Sequence, residues 1–233
     1  MELKKCITSY GFKYRKQVFE KTKPFMEEYA SSCRADFFSP RVGHFQEWIE
    51  GQELFSWDNP SAICWLKIPL LISLLEDYDE VLWLDADVVV TGSDNVFKEA
   101  LDAPMGMVLG QCDAGEFYNT GVWLVKKEAK EFLSEIKINP DVAKGGRWFR
   151  AVGYDGEMPM VLDALGVDVK SDIICTPESD MCGELDYKYH NIFHDYRKIQ
   201  EDAVFAHACG ISMDWFESIL EDAKVWDYGP LLQ

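Results

Sequence analysis

The stretch YDEVLWLDADVVV, residues 78–90, decides the fold that we predict for this chain. Its segment 80–84 carries apolar side chains on both faces of an extended backbone, which predicts a central strand covered by helices on both sides. Asp85 and Asp87 follow at the carboxyl end of this strand, where open α/β sheets bind ligands. If the strand continues with its period of two residues, both carboxylates point to the same face and can reach one cation.

Strands and helices alternate on either side of this stretch, which predicts an α/β fold with a mostly parallel central sheet flanked by helices. No linker rich in Pro, Gly or Ser divides the sequence, so we expect a single domain over residues 1–233. The remaining strands are predicted at 4–10, 35–38, 107–110 and 121–125. The helices are predicted at 14–29, 61–75, 127–136 and 157–165.

Composition excludes several classes of function. A chain of 233 residues with a net charge of −18 is unsuited to neutralising the phosphates of nucleic acid or to docking on an anionic membrane. The sequence has no apolar stretch that predicts a signal peptide or a transmembrane segment. Its seven cysteines form no CxxC pair, so we expect free thiols and a cytoplasmic protein.

The pair Asp85 and Asp87 is the strongest chemical signal. Two carboxylates this close repel each other unless a cation or a proton lies between them. Their hard oxygen atoms suit Mn²⁺ or Mg²⁺, either of which can in turn hold a diphosphate. The alternative is a strand-ending turn with solvated carboxylates, and the apolar residues on both sides of the pair favour the metal.

Taken with five further segments, this stretch resembles the nucleotide-sugar domain of GT-A glycosyltransferases. The resemblance is to the retaining family that includes glycogenin and bacterial lipopolysaccharide galactosyltransferases. It implies the GT-A, Rossmann-like fold for the chain from about residue 1 to residue 215. The segments that carry it, in the expected order, are CITSY (6–10), KIP (67–69), GSDNVF (92–97), FYNTGV (117–122) and HACGISMDW (207–215).

The resemblance also implies a metal site. Asp85, Asp87 and His207 would hold Mn²⁺ or Mg²⁺, and Asp85 would contact the ribose of the donor as well. Lys67 matches a basic residue that contacts the donor. Taken alone, His207 could equally be a satisfied core histidine, and Lys67 an ordinary solvated lysine on a helix.

A second group of residues would bind the nucleotide and the sugar. By resemblance, the first strand with Thr8 and Tyr10 cradles the base, and Tyr14 stacks on uracil. Asp113 would contact the transferred sugar, and Asn119 would hydrogen-bond the donor sugar or the acceptor. The alternative for both tyrosines is packing at the junction between strand and helix.

The sequence departs from the family pattern in two places. Asp155 and Glu157 stand where the family has Asp-Gln, and a carboxylate there could stabilise positive charge at the anomeric carbon, act as nucleophile, or serve as a helix N-terminal acid. Met213 stands where the family has a lysine that neutralises the diphosphate. Lys224 or Arg147 could take over that role.

The expected function is metal-dependent transfer of a hexose from a nucleoside-diphosphate sugar, UDP-glucose or UDP-galactose, to a hydroxyl of a glycan or another acceptor, with retention. One alternative is a non-catalytic protein that binds sugar nucleotides or glycans on the same fold. Another is a haloacid-dehalogenase-type phosphatase, in which Asp85 attacks phosphorus and Asp87 protonates the leaving group.

Overall fold

The computed structural model describes most of the chain, and its gaps lie chiefly beyond residue 137. Of the helices in the described ranges, none combines the length and the apolar character that a membrane span requires. The described residues are 3–50, 55–56, 59–112, 115–137, 139, 142, 156–171, 174–175, 179–189, 191–192, 202–208, 216 and 220.

Strands and helices alternate through the first half of the chain, as the sequence predicts. The strands in these ranges are β1 (Lys5–Thr8), β2 (Asp36–Phe38), β3 (Glu80–Leu84), β4 (Val88–Val90), β5 (Met105–Cys112), β6 (Gly115–Lys126), β7 (Ile174–Cys175), β8 (Cys182–Glu184), β9 (Asn191–Ile192) and β10 (Phe205–His207). The α-helices are α1 (Lys16–Ser32), α2 (Gln46–Glu50), α3 (Pro60–Trp65), α4 (Lys67–Leu74), α5 (Lys130–Glu135) and α6 (Met158–Ala164).

The main sheet is mixed but mostly parallel, with the strand order β2-β1-β3-β6-β5-β8 and with β7 paired to β6. Strand β6 is antiparallel to both of its neighbours β3 and β5, and the remaining pairs are parallel. The predicted α/β fold class is therefore confirmed.

Strand β3 lies in the middle of this sheet, and all five of its residues are buried. Val81 and Trp83 pack into the core on one face, together with Leu71 of α4. Leu82 and Leu84 pack into the core on the other face, where α1 lies. The alternation places helices on both faces, as the apolar character of the strand predicts.

One of the predicted helices is divided into two helices in the structure. The structure divides residues 61–75 into α3 and α4, with Leu66 as a turn between them. Pro69 has no amide hydrogen to donate to the carbonyl of Trp65, four residues earlier, so the α-helical ladder is interrupted there. After this break, α4 begins at Lys67.

A second sheet of three strands, in the order β4-β10-β9, was not predicted. The segment Val88–Val90 leaves the main sheet and pairs antiparallel with β10, with His207 opposite Val88. This small sheet carries His207 from the last part of the described chain to the carboxyl end of β3.

Candidate active site

The two aspartates lie in a tight turn between β3 and β4. The amide of Asp85 donates to the carbonyl of Gly121 at 2.8 Å, and the amide of Val88 donates back to the carbonyl of Asp85 at 3.0 Å. The expectation that a continuing strand places both carboxylates on one face is wrong, because the backbone turns here so that β4 can join β10. The carboxylates nevertheless converge, because the turn folds them toward His207.

His207 completes a cluster of three groups. Its Nε2 lies 3.3 Å from Oδ1 of Asp87 and 3.7 Å from Oδ2 of Asp85. The amide of Ala208 donates to the carbonyl of Asp87 at 3.0 Å, which fixes the end of β10 against the turn. One ligand atom from each of these three residues lies within 4.8 Å of the other two. The structure thus brings together the three residues that the sequence analysis assigned to a metal.

Two carboxylates and one imidazole are a donor set that fits Mn²⁺ or Mg²⁺. Burial alone would raise the pKa of both aspartates, but the ammonium of Lys67 and the ring of His207 beside Asp85, and the ring of His207 and the guanidinium of Arg15 beside Asp87, hold both pKa values below the usual one. Both carboxylates are therefore ionised at neutral pH. The side chain of Asp85 is 30% exposed and that of Asp87 is 7% exposed, so the cluster opens to solvent on the side of Asp85.

Each carboxylate offers one oxygen to His207 and is held through the other. Oδ1 of Asp85 accepts a hydrogen bond from the indole of Trp83 at 2.7 Å and lies 3.0 Å from Nζ of Lys67. Oδ2 of Asp87 accepts from the guanidinium of Arg15 at 2.7 Å. These contacts orient Asp85 Oδ2 and Asp87 Oδ1 toward the imidazole, which is the orientation that a shared cation needs.

Lys67 is buried and belongs to a network, which excludes the alternative of a solvated helix lysine. Its ammonium also donates to the carbonyl of Thr120 at 2.9 Å and forms an ion pair with Glu157. Burial alone would lower the pKa of Lys67, but the carboxylates of Asp85 and Glu157 outweigh it and raise that pKa. Lys67 is therefore a permanent cation beneath Asp85.

Glu157 lies just before α6, and its side chain is 1% exposed. Its Oε1 accepts from Lys67 and, at 2.7 Å, from the hydroxyl of Thr120. Through Lys67, the carboxylate of Glu157 is connected to Asp85 of the metal cluster. Of the roles considered for Glu157, this inward orientation agrees least with that of a helix N-terminal acid.

A bulge in β6 shapes the neighbouring wall of the site. The pairing with β5 shifts between Met107, which lies opposite Trp123, and Val108, which lies opposite Asn119. The shift leaves three residues of β6 without partners on β5, and a bulge of this kind re-aims backbone groups. It directs the carbonyl of Thr120 to Lys67 and that of Gly121 to Asp85.

Asn119 precedes this bulge, and its Oδ1 accepts from the amide of Gly121 at 2.8 Å. The side-chain oxygen therefore supports the backbone of the bulge, and contact with a sugar remains a prediction.

The predicted base-binding residues of the first strand lie in packed surroundings. The hydroxyl of Thr8 donates to the carbonyl of Phe38 at 2.8 Å, and that of Tyr10 donates to the carbonyl of Ile63 at 2.8 Å. The ring of Tyr10 stacks on Phe12, with 4.9 Å between ring centroids, and meets the edge of Trp83. The contact of Thr8 and Tyr10 with a base stays a prediction. Asp113, Asp155, Met213, Arg147, Lys224 and the side chain of Tyr14 lie outside the described residues.

Arg15 is the functional candidate that the sequence analysis missed. The signal was present, because β1 and β3 are parallel neighbours with Thr8 opposite Trp83. Residues that follow Thr8 therefore emerge at the same edge of the sheet as Asp85, and Arg15 supplies positive charge there.

Comparisons with known proteins give structural neighbours only. No family model matches the chain, and no curated protein matches it. Solved structures do match over nearly the whole chain at low sequence identity. A glycosyltransferase involved in glycosylation of the major capsid of PBCV-1 is 20% identical, with a TM-score of 0.63, and the alignment covers 94% of this chain and 99% of that one.

Two further neighbours agree. The galactosyltransferase LgtC, solved with donor and acceptor sugar analogues, is 13% identical with a TM-score of 0.51, and the alignment covers 95% of this chain and 94% of LgtC. Mouse xyloside xylosyltransferase 1 is 10% identical with a TM-score of 0.54, and the alignment covers 90% of this chain and 98% of the mouse protein. These likenesses show the fold, which is the GT-A fold that the sequence resemblance implies.

Proposed function

We propose that this chain, which has the GT-A fold, is a metal-dependent glycosyltransferase. It moves a hexose from a nucleoside-diphosphate sugar, with UDP-glucose and UDP-galactose as the first candidates, to a hydroxyl of a glycan or another acceptor, with retention. The observation that carries the proposal is the convergence of Asp85, Asp87 and His207 at the carboxyl end of the central strand of this fold. LgtC, a neighbour in structure, is a galactosyltransferase that was solved in complex with donor and acceptor sugar analogues.

The proposed reaction breaks the bond between the anomeric carbon and a β-phosphate oxygen and forms a bond to the acceptor oxygen. A Mn²⁺ or Mg²⁺ ion held by Asp85, Asp87 and His207 would supply Lewis-acid stabilisation of the negative charge on the leaving diphosphate. The acceptor hydroxyl loses its proton, and the nucleoside diphosphate leaves with the bonding electron pair.

The chain's own residues keep the cluster in place. Lys67 and Trp83 fix one oxygen of Asp85, and Glu157 with Thr120 fixes Lys67 in turn. Because these groups are buried, they need no reorganisation when a charged ligand arrives, which is the condition for electrostatic stabilisation in an active site. We propose that Glu157 acts through this network, by placing a negative charge beneath the site, and that Asp155 is the second candidate carboxylate.

The alternatives make different products. A haloacid-dehalogenase-type phosphatase would release inorganic phosphate, but the GT-A fold of the chain gives that reading no support. A non-catalytic protein on the same fold would bind a sugar nucleotide and leave it intact. The proposal that the protein is cytoplasmic is supported by Cys6, Cys33 and Cys182, which are free thiols in the part of the chain that the structure describes.

The test is incubation of the purified protein with UDP-glucose, UDP-galactose and their GDP counterparts, with Mn²⁺ or with EDTA, followed by chromatography of the nucleotides. The proposal expects Mn²⁺-dependent formation of UDP from one of the UDP-sugars, by transfer to an added sugar acceptor or by slow hydrolysis. Metal-dependent binding of UDP-sugars without any UDP formation would contradict transfer and establish the binding protein. Release of inorganic phosphate from an added phosphomonoester such as p-nitrophenyl phosphate, with no UDP formed from the UDP-sugars, would establish the phosphatase.

A further inference from the structure

The two carboxylates of the cluster are held by two cations that differ in burial. Oδ1 of Asp85 is held by Lys67, whose side chain is 3% exposed, whereas Oδ2 of Asp87 is held by Arg15, whose side chain is 39% exposed. The ion pair of Arg15 and Asp87 therefore has one buried end and one end in solvent. A guanidinium at such a boundary can exchange one anionic partner for another without crossing the protein interior.

Lys67 has no such freedom. Its ammonium carries three protons, and Asp85, Glu157 and the carbonyl of Thr120 accept from it or pair with it. To bind a further anion, Lys67 would have to leave a buried carboxylate without its cation, which is strongly unfavourable. Of these two cations, Arg15 is therefore the one that can respond to a ligand at this edge.

Binding of a divalent cation would weaken the attraction between Asp87 and Arg15. A metal ion on Asp85, Asp87 and His207 brings two positive charges next to a guanidinium that lies 2.7 Å from one of those carboxylates. The attraction of Asp87 for Arg15 is then shared with the ion, and the ion repels the guanidinium. A diphosphate bound to the same ion offers Arg15 phosphoryl oxygens, which a guanidinium binds through paired hydrogen bonds.

We propose that Arg15 is a diphosphate-binding residue that is held on Asp87 until the metal and the donor arrive. With no metal bound, it neutralises Asp87. Once the metal is bound, it contacts the diphosphate of the donor and balances part of the charge on the leaving nucleoside diphosphate. The inference rests on the proposed function and names a binding residue for it within a chain whose net charge is −18.

This role predicts effects of opposite direction on two ligands. Removing the guanidinium in Arg15→Ala removes a competitor for Asp87, so Mn²⁺ alone should bind as tightly as before or up to several-fold more tightly. The same variant loses a charged hydrogen-bond donor to the diphosphate, so UDP in saturating Mn²⁺ should bind about 10–100-fold more weakly. Uridine carries no phosphate, and its affinity should stay unchanged. A residue that only supports the fold would weaken all three.

The experiment titrates Mn²⁺, UDP and uridine into the wild type, Arg15→Ala and Arg15→Lys by calorimetry, with thermal unfolding as the check on folding. The matched control is Lys16→Ala, which removes the neighbouring cation, a side chain that is 70% exposed and pairs with Glu20. The expected result is weaker UDP binding in Arg15→Ala, partial recovery in Arg15→Lys and wild-type values in Lys16→Ala.

Two results would overturn the inference alone: UDP affinity in Arg15→Ala within twofold of the wild type, or Mn²⁺ and uridine affinity reduced together with UDP affinity. Failure of the proposed function is distinguishable from both. In that case the wild type itself binds no nucleoside diphosphate in the presence of Mn²⁺, and the role of Arg15 falls with it.

Discussion

Gly121 leaves the space in which the ring of His207 lies, since a Cβ atom at position 121 would stand 2.6 Å from Nδ1 of His207. Carbon atoms of side chains do not approach other heavy atoms so closely, so any residue other than glycine must displace the ring. His207 is 3% exposed, and Nε2 of the same ring lies 3.3 Å from Asp87. Displacement of the ring therefore moves Nε2 away from the carboxylates.

Substitution of Gly121 by alanine should reduce metal affinity while the protein stays folded. We expect Mn²⁺ to bind about 10–100-fold more weakly in Gly121→Ala, the range typical for a change that misorients a metal ligand. The measurement is Mn²⁺ titration by calorimetry or electron paramagnetic resonance. Gly43→Ala is the control, because a Cβ atom at Gly43 meets nothing within 4 Å. Equal affinities in the two variants would show that His207 does not hold the metal.

Substitution of Asp87 by asparagine should abolish metal-dependent binding of nucleotide. Asparagine keeps the shape of the side chain but removes the charge that Arg15 and His207 contact and that a cation requires. We expect Mn²⁺ affinity to fall by at least about 10–100-fold. Asp102→Asn, a change at an exposed aspartate, serves as the control in the same titration. Wild-type metal affinity in Asp87→Asn would refute the assignment of the cluster.

Loss of Lys67 alone should lower the unfolding free energy more than loss of Lys67 and Glu157 together. Lys67→Met leaves Asp85 and Glu157 without their shared cation, and breaking a buried ion pair in this way costs about 3–5 kcal/mol of unfolding free energy. The double variant Lys67→Met with Glu157→Leu removes one of the stranded charges and should recover part of that loss. Urea unfolding of the two variants measures both effects.

The same pair of variants separates stability from binding. Even where the double variant recovers stability, Asp85 lacks the cation that orients its Oδ1, so UDP binding in Mn²⁺ should stay weaker than in the wild type. Recovery of stability and binding together would mean that the network serves the fold and not the site.

The ionised form of Glu80 should destabilise the folded state, so the unfolding free energy should gain from protonation of this residue as pH falls. Burial raises the pKa of this carboxyl, against the nearby charges of Lys5 and Lys126, and its Oε2 has no hydrogen-bond partner among the described residues. A carboxyl whose pKa is higher in the folded state destabilises that state above the folded pKa. The penalty disappears as pH falls toward the unfolded value of about 4.3.

Glu80→Gln should therefore raise the unfolding free energy by about 1 kcal/mol at pH 7. The advantage should shrink as pH falls through the folded pKa of Glu80 toward pH 4. Glu76→Gln is the opposite control, because a hydrogen bond and the charge of Lys130 lower the pKa of Glu76. If the gain in unfolding free energy of Glu80→Gln does not change with pH, the gain comes from packing and not from the loss of an ionisable group.

The sequence was sufficient to predict what depends on local pattern. The apolar segment 80–84 identified the central strand, and the two aspartates after it marked the edge where the site lies. The division of residues 61–75 into α3 and α4 was also available in principle, since Pro69 cannot complete the ladder.

What the sequence did not predict depends on pairing between distant segments. Residues Val88–Val90 have the composition of a continuing strand, and only their pairing with Phe205–His207 shows that they form a second sheet. The β6 bulge that directs Thr120 and Gly121 to the site depends on the register against β5 in the same way. The proposed replacements for the lysine missing at Met213, Lys224 and Arg147, lie outside the described residues, and among the described residues Arg15 is the cation that contacts Asp87.

The most direct test of the central claim is thermal unfolding of the wild type with UDP, GDP and CMP, each with and without Mn²⁺. A ligand present at about 100 times its dissociation constant stabilises by roughly 2.7 kcal/mol, which for a domain of this size raises Tm by about 5–10 °C. We predict such a rise with UDP when Mn²⁺ is present and none with UDP alone. The absence of a rise with every nucleotide in the presence of Mn²⁺ would contradict a nucleotide-sugar site at Asp85, Asp87 and His207.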